Sequence, residues 1–412
     1  SYCNKLTSVT ILNGIVSIGD QAFSFCTSMV SLAISDSVTN IDKSAFFYCP
    51  SMTNVVIPHG VTRIGDFAFH GCAGLTTVTL PGSLTSIGAG VFGSCSSLTN
   101  ISVELANVTF SSEGGVLFDK IETVLIQYPG GKAGAYDIPG SVTNIATYAF
   151  SSCSLLSRVT IPDSVASIGY GAFMFCSALT NATIGNYVAS IGTSAFGYCS
   201  GLTSLMLPDS VTSIGSYAFE HCSTLTNVTI GNGVTSIVAL AFSYCSSLTS
   251  VVIPDSVTSI GDDVFFSCSA LTSATVGNSV TSLGFGVFRQ CGDLQRVYFT
   301  GDAPNLNGGV FTGSEWVTVY YLPDTANWGS PFSERTALLW NPVFTSVSIA
   351  GGTNFCSVTG TPSIPVSLEA NINLLSGQWV HLVTTNITDG AVILLDTNAM
   401  NNPKQYYRVI GP

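Results

Sequence analysis

At 412 residues, with 8% charged side chains and a formal net charge of −12, the chain is poorly suited to several kinds of partner. Eleven Lys and Arg spread over its length make no basic stripe for nucleic acid or an anionic membrane. No run approaches eighteen consecutive apolar residues, so no segment reads as a membrane span. The chain opens at Ser1 already in repeat register, as expected of a fragment or a mature form from which any signal peptide has been removed.

The organising unit is a 23-residue coil, clearest from Cys245 to Ser267. Cys3, Cys26, Cys49, Cys72 and Cys95 are 23 residues apart, as are Cys153, Cys176, Cys199, Cys222, Cys245, Cys268 and Cys291; only Cys356 lies outside the series. With each Cys as position 0, apolar residues recur at +3 (Leu75, Leu202, Leu248), +6 (Val78, Val228, Val251) and +8 (Ile161, Ile230, Ile253). Polar residues at +5 and +7 complete the period-two alternation of a half-buried strand. Pro or Gly at +9 and Asp or Asn at +10 make a turn. Val at +12, Ile at +15, Gly at +16, a small residue at +19 and Phe at +20, from Phe23 to Phe288, finish the coil. No coil can bury these columns alone, so neighbours must stack around one core. The cysteines then form a ladder of parallel side chains. Coils lie about 5 Å apart, but parallel Cβ vectors suit a disulfide poorly, and the thiols read as small buried hydrophobes.

This Leu-x-x-Val-x-Ile-Pro…Val-x-x-Ile…Ala-Phe-x-x-Cys pattern closely resembles the BspA-like, Treponema-type leucine-rich repeats of bacterial surface proteins over about residues 1–341. The resemblance implies a mainly β solenoid with a short strand at +3 to +8 on one face and a second extended segment near +12 to +16. Local departures are Met29 and Met52 at +3 and Val238 at +16.

Cys95 and Cys153 are 58 residues apart, two coils and twelve extra residues. Gly130 falls at the Cys phase, with Tyr136, Ile138, Val142, Ile145 and Phe150 in register, so the extra residues belong to the preceding coil. There Val116–Phe118 and Thr123–Tyr128 flank Asp119–Glu122 as a β-hairpin insert within about 105–129. From Cys153 the turns alternate between Pro162-Asp163 and Gly185-Asn186, Pro208-Asp209 and Gly231-Asn232, Pro254-Asp255 and Gly277-Asn278, as if pairs of coils had been copied. After Cys291 the pattern decays into a C-terminal cap at about 299–341, containing Phe311, Trp316, Trp328 and Trp340.

Residues 1–342 therefore read as the solenoid and 343–412 as a small β-sandwich. The latter has expected strands at Val343–Ile349, Phe355–Val358, Ile364–Ala370, Trp379–Val383, Ala391–Leu395 and Gln405–Ile410. Its Val366…Leu374…Trp379…Tyr406-Tyr407-Arg408 sequence looks like the compact all-β domain that ends many secreted bacterial proteins. That resemblance implies an accessory or attachment role.

The four histidines, His59, His70, His221 and His381, form no Ser/His/Asp arrangement, and Glu220-His221-Cys222 reads as a solvent-facing His beside a ladder thiol. No Cys-x-x-Cys pair or Gly-rich phosphate cradle occurs, so neither metal nor cofactor is expected. The Asp36, Asp163, Asp209 and Asp255 column places a carboxylate only in some coils and reads as turn chemistry rather than a Ca²⁺ site. Two surfaces remain. Pairs such as Thr77/Thr79, Asn181/Thr183 and Asn227/Thr229 at +5 and +7 make a hydroxyl-rich ladder. The variable positions +17, +18, +21 and +22 carry Phe47, Tyr48, Phe67, Tyr148, Tyr170, Phe175, Tyr198, Tyr217, Tyr244, Phe266 and Phe285, candidate ligand contacts because aromatic rings with a polar handle favour binding surfaces. The alternative is that these rings pack on one another as a structural ladder. The expectation is a non-enzymatic, secreted or surface-displayed adhesion module, monomeric, recognising a protein or glycan on a host, neighbouring cell or matrix. A water- or ice-ordering Thr surface and an enzyme with an unrecognised site are the alternatives.

Overall fold

A computed structural model describes residues 3–341, 343–350, 353–360, 365–371, 379–387, 391–396 and 406–410. Ile364, Leu374 and Gln405, which enter the sequence reading, lie outside the described residues. The chain divides into two compact units. The first comprises Ser1–Leu294 and Pro304–Trp316, and the second Gln295–Ala303 and Val317–Pro412.

The first unit is a β-solenoid with no helix among the described residues. Positions +5 to +8 form short strands such as Thr77–Leu80 and Ser250–Ile253, both alternating exposed and buried as their sequence requires. The second extended segment is reduced to two residues, +14 and +15, as in Ser190–Ile191 and Ser213–Ile214, which pair in parallel. Eleven strands form one sheet from Asn305–Leu306 back to Phe110–Glu113, and four more, Ser17–Ile18 to Ser86–Ile87, form another. The turn at +9 closes by an i to i+3 bond, Val211 N donating to Pro208 O at 3.1 Å.

The Phe column is a continuous stack on each side of the insert. Ring centroids lie 5.2–5.8 Å apart from Phe23 to Phe92 and 4.6–5.9 Å apart from Phe150 to Phe311. Offset aromatic pairs each add about 0.5–1.5 kcal/mol beyond burial. Tyr128 fills the slot before Phe150 at 4.9 Å, and Phe311 extends the column one coil past Phe288. Asn305–Leu306 likewise pairs in register with Ser282–Leu283, so regular stacking reaches into what the sequence presents as a decaying cap.

All thirteen cysteines are free; Cys3 is exposed and the others are buried. From Cys49 onward the ladder thiols donate to the Phe carbonyl one coil back, as Cys199 Sγ does to Phe173 O at 3.1 Å and Cys222 Sγ to Phe196 O at 3.3 Å, and Cys153 Sγ donates instead to Tyr128 O at 3.8 Å. Cysteine is thus a small hydrophobe that also satisfies a buried carbonyl.

The insert holds the expected hairpin and a third strand. Val116–Asp119 pairs antiparallel with both Val124–Gln127 and Phe110–Glu113. Buried Asn107 plugs the junction: its Nδ2 donates to Pro81 O and Leu84 O at 2.8 and 2.9 Å, while its Oδ1 accepts from Thr109 N and Phe110 N, both at 2.8 Å.

In the second unit, all six expected strands occur, with ends shifted by up to three residues. Val343–Ala350, Thr353–Thr359 and Ala391–Asp396 form one antiparallel sheet, and Pro365–Asn371, Val380–Asn386 and Tyr406–Ile410 another. Cys356, Val358, Val366, Leu368, Ile387 and Leu394 form their common core. Within the same unit Phe299, Tyr321 and Phe332 surround Trp328, with ring centroids 4.9–5.1 Å from it.

Candidate binding surface

The third side of the coil, +17 to +22, is a run of tight turns. Its backbone hydrogen-bonds from coil to coil, as in Tyr198 N to Glu220 O at 2.7 Å and Tyr244 N to Phe266 O at 2.7 Å. Positions +18 and +22 are left-handed in coil after coil. Gly90, Gly171 and Gly286 take one of them without strain, but Tyr48, Phe67, Tyr148, Phe175, Tyr198, Tyr217 and Tyr244 hold φ between 56° and 64°. A large side chain there costs about 1–2 kcal/mol against glycine. Seven of the eleven candidate aromatics therefore occupy positions at which the backbone favours glycine.

These rings form two series. In the first, Phe25 meets Phe47 and Tyr48 at 5.4 and 5.7 Å, Phe47 stacks on His70 at 5.2 Å, and Phe67 bridges His70 and Tyr148 at 5.6 and 5.2 Å. Tyr148 then meets Tyr170 at 5.1 Å. In the second, Phe175, Tyr198, His221 and Tyr244 stack at 4.8, 4.6 and 4.2 Å, and Phe266 meets Tyr244 edge-on at 5.0 Å. Arg289 ends this series, its guanidinium 4.1 Å from the Phe266 ring centroid and 5.7 Å from that of Phe285, and paired with both oxygens of Asp263 at 3.0 and 3.1 Å. Among the described residues Tyr217 stacks on no ring, and it is exposed, as are Tyr48, Tyr170, Phe175, Tyr244 and Phe285. Phe47, Phe67, Tyr148, Tyr198 and Phe266 are half-buried.

The join between Phe67 and Tyr148, 81 residues apart, follows from the insert. Leu125 pairs with Ile145 and Tyr128 stacks on Phe150, so two residues separate these slots where the next coil has four. The insert coil thus gains strands on one side and loses its edge loop on the other. Phe67 lies over Gly90, where a Cβ would sit 2.9 Å from its ring, and reaches Tyr148. Nearby, Ser94 Oγ donates to Ser152 Oγ at 2.8 Å and lies 3.2 Å from His70 Nε2, and burial holds His70 below the ordinary imidazole range.

His70 and His221 were not singled out as aromatic-edge residues in the sequence, although their phases, +21 and +22, place them in this column. His221 is half-buried between two tyrosines, and burial pushes the neighbouring Cys222 thiol up to about 12. Among the described residues no group of three or more His, Cys, Asp or Glu side chains is placed to hold a metal ion.

A family model described as BspA type leucine rich repeat region matches residues 1–114, 132–245 and 189–318, with six copies. The chain belongs to this BspA-type family. The unmatched residues 115–131 contain the two hairpin strands of the insert. A leucine rich cell surface protein of Faecalibacterium prausnitzii A2-165 is 32% identical over 66% of this chain and 73% of its own, with a TM-score of 0.52. A leucine-rich repeat protein of Eubacterium ventriosum shares the fold at 23% identity over 80% of this chain and 86% of its own, with a TM-score of 0.60. No match is found among curated proteins.

Within the BspA-type coil two threonine columns outside the +5/+7 ladder are spent on the stack. Thr180, Thr203, Thr226 and Thr272 at +4, and Thr212, Thr235, Thr258 and Thr281 at +13, donate Oγ1 to a backbone carbonyl of the preceding coil at 3.0–3.2 Å. The outward +7 column is interrupted by Met206 and Val252, so no unbroken hydroxyl plane runs along it. In the second aromatic series the faces of Tyr198, His221 and Tyr244 lie against one another, which leaves their edges and the tyrosine hydroxyls to meet a partner.

Proposed function

We propose that this BspA-type chain is a surface-displayed binding protein that engages a protein partner, without catalysis, through the aromatic edge built by Tyr148, Tyr170, Phe175, Tyr198, Tyr217, Tyr244 and their neighbours. The observation that carries this reading is the retention of large rings at left-handed positions where glycine is cheaper and where glycine and serine do occur. Packing between rings offsets that cost for Tyr198 and Tyr244. It does not do so for exposed Tyr217. A protein partner is favoured over a glycan because stacking on His221 covers ring faces of Tyr198 and Tyr244 that a sugar would use, whereas edges and hydroxyls suit a polypeptide surface rich in carbonyls and amides. Many weak contacts along successive coils would add as avidity. Likeness to a cell surface protein supports display outside the cell, with residues 343–412 as an accessory domain. Binding of the purified chain to a panel of matrix and cell-surface proteins, beside a variant with Tyr170, Phe175, Tyr198 and Tyr217 changed to Ser, tests the reading. Loss of a partner in the variant supports it, and unchanged binding removes the edge from consideration.

A further inference from the structure

The strand face of coils 153 to 268 carries a feature the aromatic edge does not use. Between Arg158 and Arg289 the chain has neither Lys nor Arg, yet it has six acidic residues: Asp163, Asp209, Glu220, Asp255, Asp262 and Asp263. Asp163, Asp209 and Asp255 stand exposed at +10 of alternate coils. Each is oriented by its Oδ1, which accepts the backbone NH of the Asn one coil on, at 2.7, 2.7 and 2.8 Å. Two of these acidic coils also present an apolar side chain at +7, Met206 at 71% exposure and Val252 at 62%, where the intervening coils have Thr183, Thr229 and Thr275. Met206 and Asp209 line one shallow depression of about 700 Å³, together with Ile184, Leu207, Ile230 and Asn232.

We infer that this row docks a basic polyproline-II segment carrying Lys or Arg at every third residue. A long cationic side chain is apolar along its stem and charged at its tip. Met206 or Val252 offers the stem an apolar surface, and Asp209 or Asp255 in the same coil meets the tip. The pitch selects the backbone. Acidic coils recur every second strand, about 9.5 Å apart. Three residues of polyproline II rise about 9.3 Å and return the side chain to the same face. A β-strand alternates faces, and its same-face repeat of about 6.7 Å does not match. Each exposed ion pair contributes little alone, so affinity depends on engaging several coils at once. The site is separate from the aromatic edge and does not rest on it.

The test is fluorescence anisotropy of labelled (Pro-Pro-Lys)₄ with the full chain. Comparison peptides are one of equal composition with its four lysines contiguous and one with Glu in place of Lys. Asp163→Asn, Asp209→Asn and Asp255→Asn are combined in one variant, since asparagine keeps the oxygen that accepts the turn NH and removes only the charge. The spaced peptide is expected to bind at least tenfold more tightly than the contiguous one and at least tenfold more weakly to the triple variant. Combined Met206→Ser and Val252→Ser should weaken it severalfold, while the aromatic-edge variant binds it unchanged. The inference is overturned if the spaced peptide does not bind, if spacing makes no difference, if the triple variant binds as well as the parent, or if the aromatic-edge variant alone loses the peptide.

Discussion

A Cβ on Gly185 would lie 2.4 Å from the carbonyl oxygen of Pro162, one coil earlier. The relationship repeats between Gly231 and Pro208 at 2.4 Å and between Gly277 and Pro254 at 2.5 Å. The Asp after each Pro also accepts the NH of the Asn after each Gly. A Pro-Asp turn therefore needs a Gly-Asn turn stacked on it, and the alternation seen in the sequence is a fitting of unlike neighbours.

Gly185→Ala should destabilise the chain by about 1–3 kcal/mol, because the contact is with backbone that has no rotamer to yield. Gly140→Ala is the control: its Cβ would meet nothing within 4 Å, so the change should stay within about 0.5 kcal/mol. Urea midpoints of the two variants check this. Equal midpoints would mean that the stack tolerates side chains at the junction.

The thiol ladder should make stability fall in alkali. Burial raises Cys95, Cys222 and Cys291 from 9.0 to about 12. The folded chain holds these protons more tightly than the unfolded chain does. Stability is then fully present below about pH 9 and is lost as pH rises toward 12, by about 1.4 kcal/mol per pH unit for each such thiol. Urea unfolding between pH 8 and 11 measures the slope. A thiol reagent at pH 8 should find Cys3 quickly in the native chain and all thirteen cysteines only in denaturant.

At the aromatic edge, binding and stability should separate. Tyr217→Gly relieves a left-handed backbone without removing a stacked ring, so it should be neutral or stabilising by about 1 kcal/mol while weakening partner binding. Tyr198→Gly breaks two stacks and should lose about 1–2 kcal/mol before the backbone gain is counted. Thermal unfolding of both variants, read beside their binding, distinguishes a ring kept for packing from one kept for a partner.

Asn107→Ala should cost about 2–4 kcal/mol, since it strands Leu84 O and the amides of Thr109 and Phe110 and removes one of the two donors to Pro81 O, which Leu84 N also reaches. Hydrogen exchange should quicken first at Thr109 and Phe110. Unchanged protection there would show that the insert is held by its strands and not by this plug.

The solenoid was legible because each core column is apolar at one phase: Leu at +3, Ile at +15 and Phe at +20 leave little choice of face. Gly130 could be placed at a cysteine phase because Ile138 and Phe150 keep that register. Phe110–Glu113 escaped notice because Phe-Ser-Ser-Glu carries no alternation. The edge was legible only as a list of aromatics. That Tyr148 touches Phe67 depends on a loop the insert coil lacks, and that Tyr198 is left-handed while Phe266 is not depends on turn geometry that most residue types can adopt. Tyr128 and Phe311 were hidden differently, one by a shortened coil and the other by the decay of its neighbours.

The most direct measurement is quantitative binding of the full chain to each hit from the protein panel and to a glycan array, with the combined Tyr170→Ser, Phe175→Ser, Tyr198→Ser and Tyr217→Ser variant alongside and its fold verified by circular dichroism. At least one protein partner should bind the parent and lose tenfold or more in affinity with the folded variant. Binding confined to glycans, or protein binding that the variant retains in full, would contradict the assignment of the aromatic edge.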